Sequence, residues 1–271
     1  MKNIRPIFNY FGSKYWLSRK LLCLIPPHHT YIEPYCGSAA MFFAKQPAKI
    51  EILNDINHNI STLFSILRDP LKLKILSELI TLTPYSREDF ESALTYRQEE
   101  NDIVRTWKFL ILSNMGFAGK QRYKTGWKAG YKEFRTISVW NRIPERLALA
   151  ALRLKNAQID NRPGIDVITR ADHKGSFFFI DPPYPYYSFK TPKRFYDFTM
   201  SNDEHHELVN ILKTITGAAM ITMYQNEIYD QLIDFGYHKI NVINKDLLKN
   251  SKIETVYMNY HYIGDLFSIP A

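Results

Sequence analysis

The sequence has little cysteine, no long apolar run and no repeated or low-complexity segment. Cys23 and Cys36 are the only thiols in 271 residues. They are too few for a disulfide scaffold and have no zinc-knuckle spacing, so reduced thiols and no bound metal are expected. No stretch is long enough to span a bilayer, and Lys2, Arg5, Lys14, Arg19 and Lys20 interrupt the N-terminal region where a signal peptide would need an apolar core. A soluble cytoplasmic protein with no membrane partner is therefore expected. Negative charge is in the minority, with 27 Asp and Glu against 35 Lys and Arg, a net charge of +8 and a pI near 9.2. That balance favours a polyanionic partner.

What is present alternates. Thr30 to Glu33 reads as a strand running into Pro34-Tyr35-Cys36-Gly37, and Ser38 to Ala44 as the helix that follows. A second strand, Ile50 to Leu53, ends at Asn54-Asp55, and Ile56 to Leu67 has helical spacing. The block from Pro70 to Ser113 reads as several helices broken at Pro84 and around Arg87 to Asp89. Asn114 to Ser138, rich in glycine, lysine and aromatics, reads as exposed loops or a hairpin. After a helix at Ile143 to Lys155 the α/β pattern returns: a short strand near Ile159, the apolar strand Phe177 to Ile180, a strand at Ala218 to Thr222 and one in the tail from Tyr237 to Tyr262. Helices near Asp203 to Lys213 and Glu227 to Phe235 separate them. The chain thus reads as an α/β sheet domain built from residues 1–68 and 156–271, with a helical and basic insertion at 69–155.

The most specific local signal is Asp181-Pro182-Pro183-Tyr184, directly after the apolar strand. In open α/β sheets ligands sit beyond the carboxyl ends of the strands. A rigid Pro-Pro loop is the plainer reading, but the tetrapeptide would arise by chance in only about one chain per thousand of this length. Its composition suits chemistry at an amino group. An exocyclic amine of adenine is a poor nucleophile because its lone pair is delocalised into the ring. Hydrogen-bond acceptors aimed at its hydrogens return electron density to it; Asp181 offers a carboxylate and Pro182 a backbone carbonyl, both preorganised by the prolines. Tyr184 can stack on the base. A base inside a duplex cannot reach such a pocket, so the target would be flipped out, and Tyr184-Pro185-Tyr186-Tyr187-Ser188-Phe189 could line its pocket.

Glu33-Pro34-Tyr35-Cys36-Gly37 followed by Asp55 after the second strand adds a nucleotide-like pattern: a glycine turn for close approach and an acid for ribose hydroxyls. With these motifs in order, the chain resembles the DNA adenine methylases typified by the bacterial enzyme that modifies GATC. Phe8-Asn9-Tyr10-Phe11-Gly12-Ser13-Lys14 resembles the family's N-terminal motif, Tyr31 to Gly37 its cofactor loop, Leu53-Asn54-Asp55-Ile56-Asn57 its ribose motif and Asp181 to Tyr184 its catalytic tetrapeptide. The likeness continues through Phe195-Tyr196-Asp197-Phe198, His205-His206-Glu207-Leu208 and Glu254-Thr255-Val256-Tyr257-Met258-Asn259-Tyr260. The resemblance implies a Rossmann-like class I methyltransferase sheet with a target-recognition insertion, acting on adenine N6 in duplex DNA with S-adenosylmethionine. It implies that Tyr10, Lys14, Asp55 and Asp181 contact the cofactor, with Glu33, Pro34 and Gly37 in the cofactor loop, and that Asp181, Pro182 and Tyr184 carry the chemistry.

Two positions depart from the family. Ala39 stands where many members have a second glycine, and the basic segment Asn114 to Phe134 matches the GATC enzyme poorly, so the target sequence is not inherited. Lys120, Gln121, Arg122, Tyr123, Lys124 and Trp127 are the candidate DNA-binding residues, with Arg122 suited to guanine and Gln121 to adenine in the major groove. A cognate restriction enzyme is a compatible partner. The alternatives are a catalytically silent DNA-binding relative, or methylation of RNA adenine or cytosine N4.

Overall fold

The computed structural model describes residues 4–10, 12–98, 101–117, 126–129, 135–185, 198–245 and 251–261. A 3-10 turn at Lys14–Trp16 leads to α1 (Ser18–Leu22), β1 (Thr30–Glu33), α2 (Ala40–Ala44), β2 (Ile50–Asn54) and α3 (His58–Leu67). Then come α4 (Pro70–Leu82), α5 (Arg87–Ala93), α6 (Asp102–Met115), α7 (Arg135–Asn141) and α8 (Ile143–Leu154). The sheet resumes with β3 (Gln158–Asp160), α9 (Gly164–Ala171), β4 (Ser176–Ile180), α10 (Asn202–Leu212), β5 (Ala218–Met223), α11 (Glu227–Asp230), β6 (His238–Lys245) and β7 (Ser251–Met258).

The seven strands lie in the order β3-β2-β1-β4-β5-β7-β6. β3 through β5 are parallel and β7 is antiparallel to both neighbours. Alternation along the buried strands sorts their side chains between two cores: Tyr31, Phe177 and Phe179 join one cluster, while Ile32, Phe178 and Ile180 join the other. Helices α9, α10 and α11 supply Ile168, Leu208 and Tyr229 to the second cluster. The first takes in Phe42 and Ile60, and also Leu76, Phe109, Trp140 and Leu147 of the 70–154 helices.

Those helices are tied to the sheet by charge as well. Arg153 on α8 places Nη2 2.7 Å from Oε1 of Glu51 on β2 and its guanidinium 3.7 Å from the Phe42 ring centroid, and Lys45 Nζ meets the same Glu51 oxygen at 2.7 Å. Thr83, at the end of α4, takes the indole hydrogen of Trp107 on its hydroxyl at 2.9 Å and that of Trp140 on its carbonyl at 2.8 Å. Among the described residues no helix is long and apolar enough to cross a membrane.

Several local readings change. Arg87 to Asp89 opens a helix instead of breaking one, because the Ser86 hydroxyl accepts the Asp89 N–H and Glu88 and Asp89 sit favourably in the first turn. Between Asn114 and Ser138, α6 runs on to Met115 and α7 begins at Arg135, and an antiparallel bridge joins Gly116 and Trp127. The tail holds two strands, not one: β6 and β7 pair from His238–Met258 to Lys245–Ser251. Apolar alternation marks strand character but not a reversal of direction. α9 has no counterpart in the sequence reading.

Candidate active site

Parallel strands expose backbone at their carboxyl ends, and the chain leaves β1 toward β2 on one side and β4 toward β5 on the other. The crevice at that reversal is where open α/β sheets bind ligands. Here it is a cleft whose lining includes Tyr10, Lys14, Glu33, Gly37, Asp55 and Asp181. Three carboxylates thus arrive from the ends of three adjacent strands.

The N-terminal segment closes one wall. Ser13 and Ser38 hydroxyls lie 2.9 Å apart, linking it to the loop after β1. Gly37 takes φ +48°, and a Cβ there would come within 2.8 Å of the Tyr10 ring, so only glycine fits. Ala39, in the place of the family's second glycine, is left-handed too, at φ 53°. That costs an L-residue roughly 1 kcal/mol, which its full burial in the core must offset. The Pro34 carbonyl is buried outside the cleft lining and accepts from Asn54 Nδ2 at 2.8 Å, holding the loop to β2.

Asp55 accepts the Gly37 N–H on Oδ2 at 2.8 Å and the Asn57 N–H on Oδ1 at 2.9 Å. Burial nevertheless pushes its pKa up to about 6, the two N–H groups only partly offsetting desolvation. Glu33 is more extreme. Burial raises it to about 8 although Oε1 accepts the Tyr31 hydroxyl and the Phe42 N–H, each at 2.6 Å, so it is largely neutral at pH 7.

Asp181 Oδ1 receives Lys14 Nζ at 2.6 Å and the Thr222 hydroxyl at 3.0 Å. Among the described residues its Oδ2 has no hydrogen-bond partner. Burial raises the Asp181 pKa to about 6; Lys14 opposes the rise and the nearby Glu254 adds to it. Lys14 is itself buried, which disfavours its charge, but Asp181 and Glu254 outweigh that and hold its pKa above the usual value. Lys14 therefore pairs with Asp181, and Glu33 is held by Tyr31 and Phe42.

Tyr184 is only 6% exposed: its hydroxyl donates to Glu254, its ring meets Tyr224 edge-on at 4.8 Å between centroids, and Lys14 Nζ is 5.1 Å from its centroid. It packs behind the cleft; among the described residues of the lining, Phe198 is the exposed aromatic. Trp127 is half-buried, tilted against Tyr85 at 5.8 Å, with the Arg87 guanidinium 4.8 Å from its ring. Lys120 to Lys124, Tyr186 to Phe189 and Phe195 to Asp197 lie outside the described residues. Sequence reasoning gave no role to Thr222 or Glu254. A single carboxylate heading the run Thr255-Val256-Tyr257-Met258 was the available signal for the latter.

A mostly parallel seven-strand sheet in this order, with acids at the ends of β1, β2 and β4, defines a Rossmann-like methyltransferase. The model of the D12 class N6 adenine-specific DNA methyltransferases matches residues 10–253, and the chain belongs to that family; it is an adenine-specific DNA methyltransferase. It is similar to the type II methyltransferase M1.LlaDCHI of Lactococcus lactis subsp. cremoris, 24% identical over 95% of this chain and 96% of that protein. It is also similar to the type II methyltransferase M.CviBI of Paramecium bursaria Chlorella virus NC1A, 23% identical over 87% and 90%. The DNA N-6-adenine-methyltransferase of Escherichia phage P1 is 24% identical over 66% of this chain but only 24% of its own length.

Proposed function

We propose that the chain methylates N6 of an adenine flipped out of duplex DNA, with S-adenosylmethionine as donor. The observation that carries this reading is the division of labour on Asp181, a residue of the cleft lining: Oδ1 takes Lys14 and Thr222, and among the described residues Oδ2 takes no hydrogen bond. Oδ2 and the Pro182 carbonyl accept the two amine hydrogens and draw electron density onto the nitrogen. After transfer the surplus proton passes to Oδ2, whose pKa of about 6 suits receipt and release near neutrality. Tyr184, held behind the cleft by Glu254 and Tyr224, supports the loop that carries Asp181 and Pro182 and is not a stacking face of the cleft lining.

The donor set fits this cofactor. When bound, S-adenosylmethionine supplies an electrophilic methyl group on a positively charged sulfur. Asp55 retains acceptor capacity for a ribose diol beyond the two N–H bonds it already takes. Asp181 favours a ligand carrying positive charge, Glu33, largely neutral, lines the cleft as a polar group, and Tyr10 and Gly37 offer an aromatic face and close backbone approach.

Residues 1–68 and 156–271 form the catalytic unit in this reading, and 69–155 reads the target. Lys120, Gln121, Arg122, Tyr123, Lys124 and Trp127 belong to that surface. A second set of cations adjoins the site. Arg5 lies 5.8 Å from the Tyr15 ring beside Trp16, which is 62% exposed. Arg5 and Arg142 both act on Arg146, whose pKa burial, and then its cationic neighbours, hold below the usual value. Among the described residues none of the three is in an ion pair, an arrangement suited to DNA phosphates. A cytoplasmic setting and a cognate restriction enzyme fit the type II relatives.

The test is incubation with methyl-labelled S-adenosylmethionine and unmethylated duplex DNA, then nucleoside analysis. Label in N6-methyladenine supports the reading. Label in N4-methylcytosine, label only on RNA, or DNA binding without transfer would each replace it.

A further inference from the structure

β7 runs against β5, and this reversal carries a carboxylate into the site from an unexpected direction. Thr222 on β5 faces Val256 on β7, so Glu254, two residues earlier, lies level with Tyr224 just beyond the carboxyl end of β5. Glu254 is 4% exposed. Its Oε1 accepts the Tyr184 hydroxyl and lies 3.3 Å from Lys14 Nζ, while the same Nζ lies 2.6 Å from Asp181 Oδ1. One oxygen of Glu254 therefore joins both ends of the Asp181–Tyr184 loop, directly at Tyr184 and through Lys14 at Asp181. A buried carboxylate is costly unless its contacts repay desolvation, and here those contacts are two residues of the site.

We propose that Glu254 is a positioning residue for methyl transfer: it anchors the end of the catalytic loop at the Tyr184 hydroxyl and holds Lys14 against Oδ1 of Asp181, leaving Oδ2 for the substrate amine. The proposal rests on the reading of Asp181 as the group that serves that amine. Four charged or titratable groups share the space: Lys14 from the 3-10 turn, Glu33 from β1, Asp181 after β4 and Glu254 from β7, with the Thr222 and Tyr184 hydroxyls as donors. Glu33 is mostly neutral below pH 8, and Lys14 Nζ lies between Asp181 and Glu254. Glu254 thereby favours the protonated form of Asp181, in keeping with a group that must take up a proton.

Glu254→Gln keeps an acceptor for Tyr184 but removes the charge. In the pH dependence of kcat on duplex DNA, the acid limb should move to lower pH, and plateau kcat should fall several-fold, with the cofactor KM and DNA Kd within about twofold. A merely structural role would lower activity at every pH without moving the limb, and that outcome overturns the proposal. Tyr184→Phe supplies a check independent of how Glu254→Gln folds. It should lower kcat with cofactor KM unchanged, and combining the two substitutions should cost less than the product of their separate losses. Wild-type kcat in Tyr184→Phe, or fully multiplicative losses, would overturn the anchoring role. Asp181→Asn separates the two levels: if it stays active, the reading of Asp181 fails; if it is inactive while Glu254→Gln leaves the limb in place, only the role of Glu254 fails.

Discussion

Lys14 and Asp181, 167 positions apart in the chain, meet at 2.6 Å in the floor of the cleft. The pair is buried, with Lys14 at 4% side-chain exposure and Asp181 at 17%. Removing the cation leaves Asp181 and Glu254 facing each other. Lys14→Met should therefore destabilise the protein by about 3–5 kcal/mol at pH 8, the usual cost of breaking a buried pair. The loss should shrink at pH 5, where Asp181, its pKa driven above the present value of about 6, takes up a proton. Denaturant melts at the two pH values measure the difference; an equal loss at both would show that the pair is not electrostatically coupled.

Glu33 predicts a pH dependence of opposite origin. Its folded pKa of about 8 lies above the ordinary 4.5, so its contribution to stability is complete below 4.5 and is lost as pH rises through 8. Glu33→Gln keeps an acceptor for Tyr31 and Phe42 and cannot ionise. The variant should gain on the wild type as pH rises from 5 to 9, by at most on the order of 4 kcal/mol. Parallel stability curves would remove Glu33 as a titrating group.

Asp55→Ala removes the acceptor proposed for the ribose and the tie between Gly37 and Asn57. Calorimetry should show S-adenosylmethionine affinity falling by about 10- to 100-fold, as expected for lost hydrogen bonds to a charged group. DNA affinity should hold. An unchanged cofactor Kd would place the ribose elsewhere.

Arg5→Ala combined with Arg146→Ala tests the second cationic surface. If each arginine neutralises one phosphate, the slope of log K against log salt should shrink by about 0.9 per residue. Cofactor affinity should be unaffected. The same slope in both proteins would take the duplex off this face.

The site was legible where the sequence clusters its chemistry. Asp181-Pro182-Pro183-Tyr184, Glu33 to Gly37 and Asp55 each follow a strand whose alternation or apolarity is readable, and the fold sets them at one edge. Lys14 was legible as a site residue through its motif, but its pairing with Asp181 required the third dimension. Glu254 and Thr222 were not assigned because nothing local distinguishes a site residue from any other strand residue. Their place depends on β7 entering antiparallel beside β5, and the tail, read as one strand, concealed that reversal. Tyr184 shows the converse: its motif marks it as important, while its burial against Tyr224 and its bond to Glu254 emerge only from packing.

The most direct measurement is single-turnover methyl transfer to duplex DNA by the wild type and Asp181→Asn, with DNA affinity measured in parallel. The variant keeps the side-chain shape but loses the carboxylate that accepts from the amine. Transfer should fall by about 10²- to 10⁴-fold or more with DNA binding largely retained. A rate near that of the wild type would contradict the assignment of Asp181 to the reacting amine.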